Sequence, residues 1–347
     1  MQKVVSDMLL DIAHERNGYS IGEPWRFTQH SLAAVVPLVR VNNAPTRAYR
    51  LLSERKGEVK IKDGGNIERI QLTNTGEYPV LVKAGEVLVG STQSRTVTTS
   101  QIIMANEKLE VACACVYSSK GIREGQGMTP GIYSPIEVRR EVYHGHFSHG
   151  NLSPDYHRDQ AGIWSGVNLY ARNATGRTVN LASSLRAMAS TEELSPELGS
   201  LDLNPTYHTP SEDLAGRISE AQTKYEDILK QVPRIEHQVG MALLTMTGLE
   251  SMESFEHPDS WEGIRRAILG AESDKISDIS DKDGIFEFRP EKARDIIREL
   301  LAGEFGDKVA VDRPHTRTII LDAKQFVGEV VTLDDIPIHC AFVRKAS

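Results

Sequence analysis

Residues 74–117 read NTGEYPVLVKAGEVLVGSTQSRTVTTSQIIMANEKLEVACACVY, and their pattern decides the fold class. Two apolar, β-branched runs, 79–83 and 86–89, flank Ala84-Gly85 and predict a hairpin, with Gly85 free to take a positive φ at the turn. Gly90, Ser91 and Thr92 interrupt the pattern, and residues 96–104 predict the next strand. A turn at 105–108 leads into a strand over 109–117. There Leu109, Val111, Cys113, Cys115 and Tyr117 share one face, and Ala112, Ala114 and Val116 share the other. Both faces are apolar, so this strand is expected at the centre of a β-rich core.

Upstream, residues 59–61 and 67–72 read as strands around an Asp63-Gly64-Gly65 turn, and 45–55 reads as helical. Residues 25–40 read as extended and broken at Pro37. At the start of the chain Val5, Met8, Leu9 and Ile12 recur at helical spacing, predicting a short amphipathic helix that docks on its own chain or on a neighbouring subunit.

Downstream, the Gly, Ser, Pro, Asn and His content of residues 118–207 predicts a long irregular excursion. Gly121, Gly125, Gly127, Pro130 and Gly131 mark a loop there, and 164–169 reads as a strand or short turn. Thr209-Pro210-Ser211-Glu212 has the chemistry of a helix start, and Pro233 ends that helix. A second hairpin is expected around Thr247-Gly248, helices at Trp261 and after Pro290, and strands at 318–321, 326–333 and 336–343. Segregated strand and helix blocks predict an α+β fold with a β-rich core, hairpins, a sandwich-like sheet arrangement and packed amphipathic helices. The expected division is an N-terminal helix or arm at 1–20 and one domain at 21–343. That domain comprises a β-rich half (21–118), an irregular insertion (119–208) and a helix/strand half (209–343).

The composition places the chain in a broad class. At 347 residues, 39% hydrophobic and 25% charged, it reads as a soluble globular protein. The net charge of −8 disfavours a nucleic-acid partner. Three cysteines imply no disulfide framework, which fits a reducing cytoplasm. No run approaches the roughly 18 apolar residues of a membrane span. Asp7 and Asp11 interrupt the N-terminal apolar segment, against a signal peptide.

The central stretch resembles the ARG-and-rhodanese-phosphatase-associated protein domain family. Gly85-Glu86, Gly90, Gln93, Arg95 and Cys115-Val116 match its motif, while Ser94 stands for an Asn and Tyr117 for a Glu. Val239-Gly240, Phe255, Trp261 and the closing residues 338–342 are similar to later landmarks, so the resemblance covers most of 25–342. The family is named for its genomic company of ADP-ribosylglycohydrolases and phosphatase-like proteins. The resemblance therefore implies nucleotide or ADP-ribose metabolism by association.

Four groups of residues are candidates for chemistry. Gln93 and Arg95 stand two apart and face one way on an extended backbone. Arg offers a fork for phosphate or carboxylate, and Gln reads an amide or hydroxyl. Glu86 is the candidate general base; the alternative is a structural Glu86–Arg95 ion pair. Arg123, in a Gly-rich loop able to cradle an anion, is the counterpart that the resemblance implies for a family Arg. His144, His146 and His149, with Asp155, His157 and Asp159 beyond, match no standard zinc spacing. A solvated loop, or a loop ordered by a subunit contact, is the reading there, with His144, His146 and His149 the alternative metal ligands. Cys113 and Cys115 read as small core residues, and His339 as a packed, hydrogen-bonded one.

The expected function is a binding or processing module for a small phosphorylated or nucleotide-like ligand, with an ADP-ribose-related one implied by the family association. Gln93, Arg95 and Arg123 are its contacts and Glu86 its base or orienter. The alternative is a non-catalytic, homo-oligomeric assembly protein. The sequence specifies no cofactor, and a homo-oligomer is the expected state.

Overall fold

The computed structural model describes residues 2–28, 31–41, 46–55, 57–66, 68–90, 94–116, 127–147, 160–174, 214, 218, 226–277, 288 and 290–346. The N-terminal helix α1 (Gln2–Ala13) leads to strands β1 (Tyr19–Ile21), β2 (Ala33–Arg40) and β3 (Arg50–Leu51) and a single 3-10 turn, Leu52–Glu54. Next come β4 (Val59–Asn66), β5 (Arg69–Asn74), β6 (Val80–Val82), β7 (Glu86–Gly90), β8 (Arg95–Val97), β9 (Gln101–Ile103), β10 (Lys108–Cys115) and β11 (Met128–Tyr133). Helices α2 (Ile136–His144), α3 (Gln160–Ala174) and α4 (Glu226–Gln231) follow. The chain then runs β12 (Gln238–Thr245), β13 (Gly248–Phe255), α5 (Pro258–Ala271), α6 (Ser273–Ser277) and α7 (Pro290–Ala302). It closes with β14 (Gly306–Arg313), β15 (Thr316–Asp322), β16 (Phe326–Leu333) and β17 (Ile336–Arg344). The fold is α+β and β-rich, as the block pattern predicts.

Two compact units emerge. The first comprises Met1–Leu51, Asp227–Arg266 and Glu272–Ser347, and the second Leu52–Glu226 and Ala267–Ala271.

The first unit is built on an eight-stranded antiparallel sheet in the order β1-β2-β12-β13-β17-β16-β15-β14. One face carries Val36, Leu38, Ala242, Met252, Val330 and Phe342, and α1 and α7 cover it. The i, i+4, i+7, i+8 stripe of Ala293, Ile297, Leu300 and Leu301 meets Met8, Leu9 and Ile12 there. Each such side chain contributes roughly 1.5–3 kcal/mol on leaving water. Met8, Leu9, Ile12 and Ala13 of α1 are thus buried within their own chain.

The sheet runs through Pro37, where a break was expected. Gly22 N donates to Pro37 O, so Pro37 turns its backbone polar edge toward the point where β1 has already ended. Its missing N–H therefore removes no ladder bond.

In the second unit six strands follow the order β11-β7-β8-β10-β5-β4, and a bridge between Lys62 and Gly127 joins the two edges. The sheet closes into a small barrel. Ile61, Ile70, Leu72, Leu88, Val97 and Val111 belong to its apolar core.

Several local expectations change. Residues 80–82 and 86–90 do not pair as a hairpin, because β6 pairs with β9 while β7 pairs with β8 and β11. Gly85, at φ +87°, instead turns the chain from one ladder into another. The strand expected over 96–104 is likewise split into β8 and β9. Asp63-Gly64-Gly65 is a bulge within the β4–β5 ladder rather than its turn, with Gly65 at φ +73° and its N–H donating to Asp63 Oδ1. Within 45–55 the described residues form β3 and the 3-10 turn in place of a helix. Residues 128–133, expected in a loop, form a strand bulged between Pro130 and Ile132.

Residues 164–169 lie in helix α3. Ile163, Val167 and Tyr170 are buried at helical spacing, and Gly166 lets α3 approach α2 so closely that a Cβ would stand 2.7 Å from Glu137 O. The helix expected after Thr209 falls mostly outside the described residues. Leu214 and Ile218 are helical and buried, and α4 ends just before Pro233.

Candidate functional site

Strand register places the family-like motif on the barrel. Gly90 at the end of β7 faces Met128 at the start of β11, and Arg95 at the start of β8 faces Cys115 at the end of β10. The β4–β5 connection reaches the same end, where Asn66 faces Arg69. One rim of the barrel therefore brackets residues 91–93 and 117–126, the segments that carry Gln93 and Arg123. Gln93 and Arg123 themselves lie outside the described residues.

Arg95 sits just inside that rim. Its Nη2 lies 2.8 Å from Asp63 Oδ2, its Nη1 donates to Arg69 O at 3.0 Å, and Cys113 Sγ is 3.7 Å away. Its side chain is fully buried and that of Asp63 is 4% exposed. Asp63 alternates with the core residues Val59 and Ile61, which aims its carboxylate inward, and the guanidinium passes β10 and β5 to reach it. An ion pair of this kind persists only where its members satisfy each other and their remaining hydrogen bonds.

Glu86 stands apart from Arg95. Across the β7–β8 ladder Leu88 faces Arg95, while Glu86 faces Tyr133 across β7–β11. The Glu86 carboxyl accepts a long bond from Lys83 N at 3.4 Å and is buried. Burial pushes it up to about 7, against the lowering effect of the Lys83 amide and ammonium.

A buried polar knot surrounds it at this second end of the barrel. Lys83 Nζ donates to Tyr133 Oη at 3.1 Å, and the Arg139 guanidinium lies 5.0 Å from the centre of the same ring. Arg139 Nε donates to Ser134 O, Gly85 N to Val97 O, and Ser134 N to Gly85 O. A Cβ at Gly85 would stand 3.0 Å from Arg139 Cδ, a tight contact, and the φ of +87° favours glycine there. Sequence reading found Glu86 but missed Lys83, Tyr133 and Arg139, which lie on other elements.

Of the histidines, His146 is buried with Nε2 3.0 Å from Thr98 O, and His144 ends α2. His149, Asp155, His157 and Asp159 lie outside the described residues. Among the described residues no group of three or more His, Cys, Asp or Glu has metal-binding geometry. Cys113 and Cys115 are buried, as their core reading expects, and Cys340 is buried as well.

His339 is packed and hydrogen-bonded in the first unit. Its Nε2 lies 2.6 Å from Glu253 Oε1 and its ring tilts against Phe255. Glu253 on β13 and Glu329 on β16 both face Ala341 on β17, so two buried carboxyl side chains flank the strand that carries His339.

The family profile described as ARG and Rhodanese-Phosphatase-superfamily-associated Protein domain matches residues 18–343. The chain belongs to this family. The match spans strands of both units, so the ARG and Rhodanese-Phosphatase-superfamily-associated Protein domain includes the barrel with its rim and the eight-stranded sheet. No curated protein matches the chain, and no solved structure does. Among the described residues no helix is long and apolar enough to cross a membrane.

Proposed function

We propose that the chain binds, and in a catalytic version processes, a small phosphorylated or nucleotide-like ligand at the barrel rim. Gln93 and Arg123 are the ligand contacts, and Arg95, held by Asp63, fixes the strand ends from which their segments depart. One observation carries this reading: Gly90, Met128, Arg95 and Cys115 bring the brackets of both segments to one rim. Arg and Gln are residue types that suit a phosphoryl group and a neighbouring hydroxyl or amide. The family's association with ADP-ribosylglycohydrolases makes an ADP-ribose-like ligand the natural class.

Glu86 is the base of the catalytic version, because a carboxyl near 7 both takes and releases a proton at neutral pH. It stands four residues from Gly90, roughly 13 Å along a strand. It would therefore act on a different part of an extended ligand from the part held at the rim.

Native mass spectrometry of the freshly purified chain tests the reading. A nucleotide-sized adduct, retained or restored by added ADP-ribose and lost in Gln93→Ala/Arg123→Ala, is expected. A bare chain that takes up no such ligand would contradict it.

A further inference from the structure

Strand β10 outruns its neighbour β5 at the rim of the barrel. The β5–β10 register ends at Ala112, which faces Arg69, and Cys113 N donates to Glu68 O just beyond. Alternate residues of a strand turn their N–H and C=O to the same edge, so the next peptide groups on that edge belong to Cys115. There a side chain takes the place of a strand. Cys115 N donates to Gln160 Oε1 at 2.9 Å, and Gln160 Nε2 donates to Cys115 O at 2.6 Å. The backbone thereby fixes which end of the carboxamide is oxygen and which is nitrogen.

Gln160 is the first residue of α3, whose Ile163, Val167 and Tyr170 are buried and whose Gly166 is seated on the Glu137 backbone. The helix therefore brings the carboxamide to the strand from a packed support. On the opposite edge of β10, Val116 N donates to Ser94 O, and Cys115 faces Arg95 in register. Arg95 in turn is held by Asp63.

We propose that Gln160 is a positioning residue of the barrel rim: its carboxamide, standing in for a strand, holds the end of β10 in the register on which ligand binding there depends. This role rests on the rim reading above and adds to it a residue that acts through Cys115.

The residue type fits the task. A carboxamide offers a donor and an acceptor side by side, as a peptide group does, whereas a carboxylate only accepts and an ammonium only donates. Without it the Cys115 N–H and C=O lose the partners that continue the β5 edge, and strand ends open locally at little cost.

The test is calorimetric titration of ADP-ribose into the full wild-type chain, Gln160→Met and Gln160→Glu, with melting temperature and amide exchange measured on the same proteins. Gln160→Met removes both bonds, whereas Gln160→Glu keeps the acceptor for Cys115 N and loses the donor to Cys115 O. Gln160→Met is expected to bind roughly fivefold or more weakly, with a melting temperature near that of wild type and faster exchange at Cys115. Gln160→Glu also serves should Gln160→Met not fold. Its deficit relative to wild type at pH 8 should shrink at pH 5, because the introduced carboxyl regains a proton to donate. Equal affinity in all three proteins, a Gln160→Glu deficit that is the same at both pH values, or exchange that rises throughout the barrel would overturn the proposal and leave the rim reading in place. A wild type that takes up no ADP-ribose would instead contradict the rim reading and this role with it.

Discussion

Arg95 and Asp63 meet at 2.8 Å inside the barrel, where neither side chain has appreciable contact with solvent. The motif arginine thus completes an ion pair with a residue on β4. The partner is not Glu86, which is nearer in sequence and has the right charge. Asp63 reaches it because it stands on the inward-facing side of β4 with Val59 and Ile61.

Removing one partner leaves a buried charge uncompensated. Asp63→Ala is expected to cost about 3–5 kcal/mol in urea unfolding, and Asp63→Leu combined with Arg95→Met should recover most of it. Single variants within about 1 kcal/mol of wild type would show that the pair does not brace the barrel.

Gly85 has a positive φ and lies against Arg139. Gly85→Ala should lower stability by about 1–3 kcal/mol, read as a reduced midpoint in thermal melting. An unchanged midpoint would mean that the corner between β6 and β7 tolerates a side chain.

Glu86 titrates at about 7 in the fold, against 4.5 for an ordinary glutamate. Because the folded value is the higher one, the folded chain holds a proton that the unfolded chain releases. The resulting stabilisation is full below about pH 4.5 and is lost as pH rises through 7. Glu86→Gln removes this dependence. Its stability relative to wild type should therefore rise across that window, by up to roughly 3 kcal/mol. Parallel curves for the two proteins at pH 5, 7 and 8.5 would contradict the placement of this carboxyl.

Gly166 brings α3 against the backbone of Glu137. Gly166→Val is expected to loosen this contact, raising amide exchange in α2 and α3 while leaving β12–β17 protected. Unchanged exchange in α2 would mean that the helices separate without strain.

How much of this was legible in the sequence depended on the range of each interaction. The α1 and α7 stripes show their 3.6-residue period directly, and Thr247-Gly248 marks its hairpin, because each signal lies within one or two turns of chain. Ala84-Gly85 carries the same local signal as that hairpin, yet its flanking strands pair with β9, β8 and β11. Partner choice is non-local, and the pattern does not encode it. Helix α3 was obscured because Gly162 and Gly166 lower helix propensity, and Gly166 is there to permit close packing. The site followed the same rule: Gln93 and Arg95 stand out by proximity. Asp63 is 32 residues from Arg95 and Gln160 is 45 from Cys115, so neither relationship was visible along the chain.

The most direct measurement is calorimetric titration of ADP-ribose into wild-type protein and into Gln93→Ala/Arg123→Ala. The account predicts saturable binding to wild type and at least tenfold weaker binding to the variant, with equal melting temperatures. No heat from ADP-ribose or from any nucleoside phosphate, or equal affinity in the two proteins, would contradict a ligand site at the barrel rim.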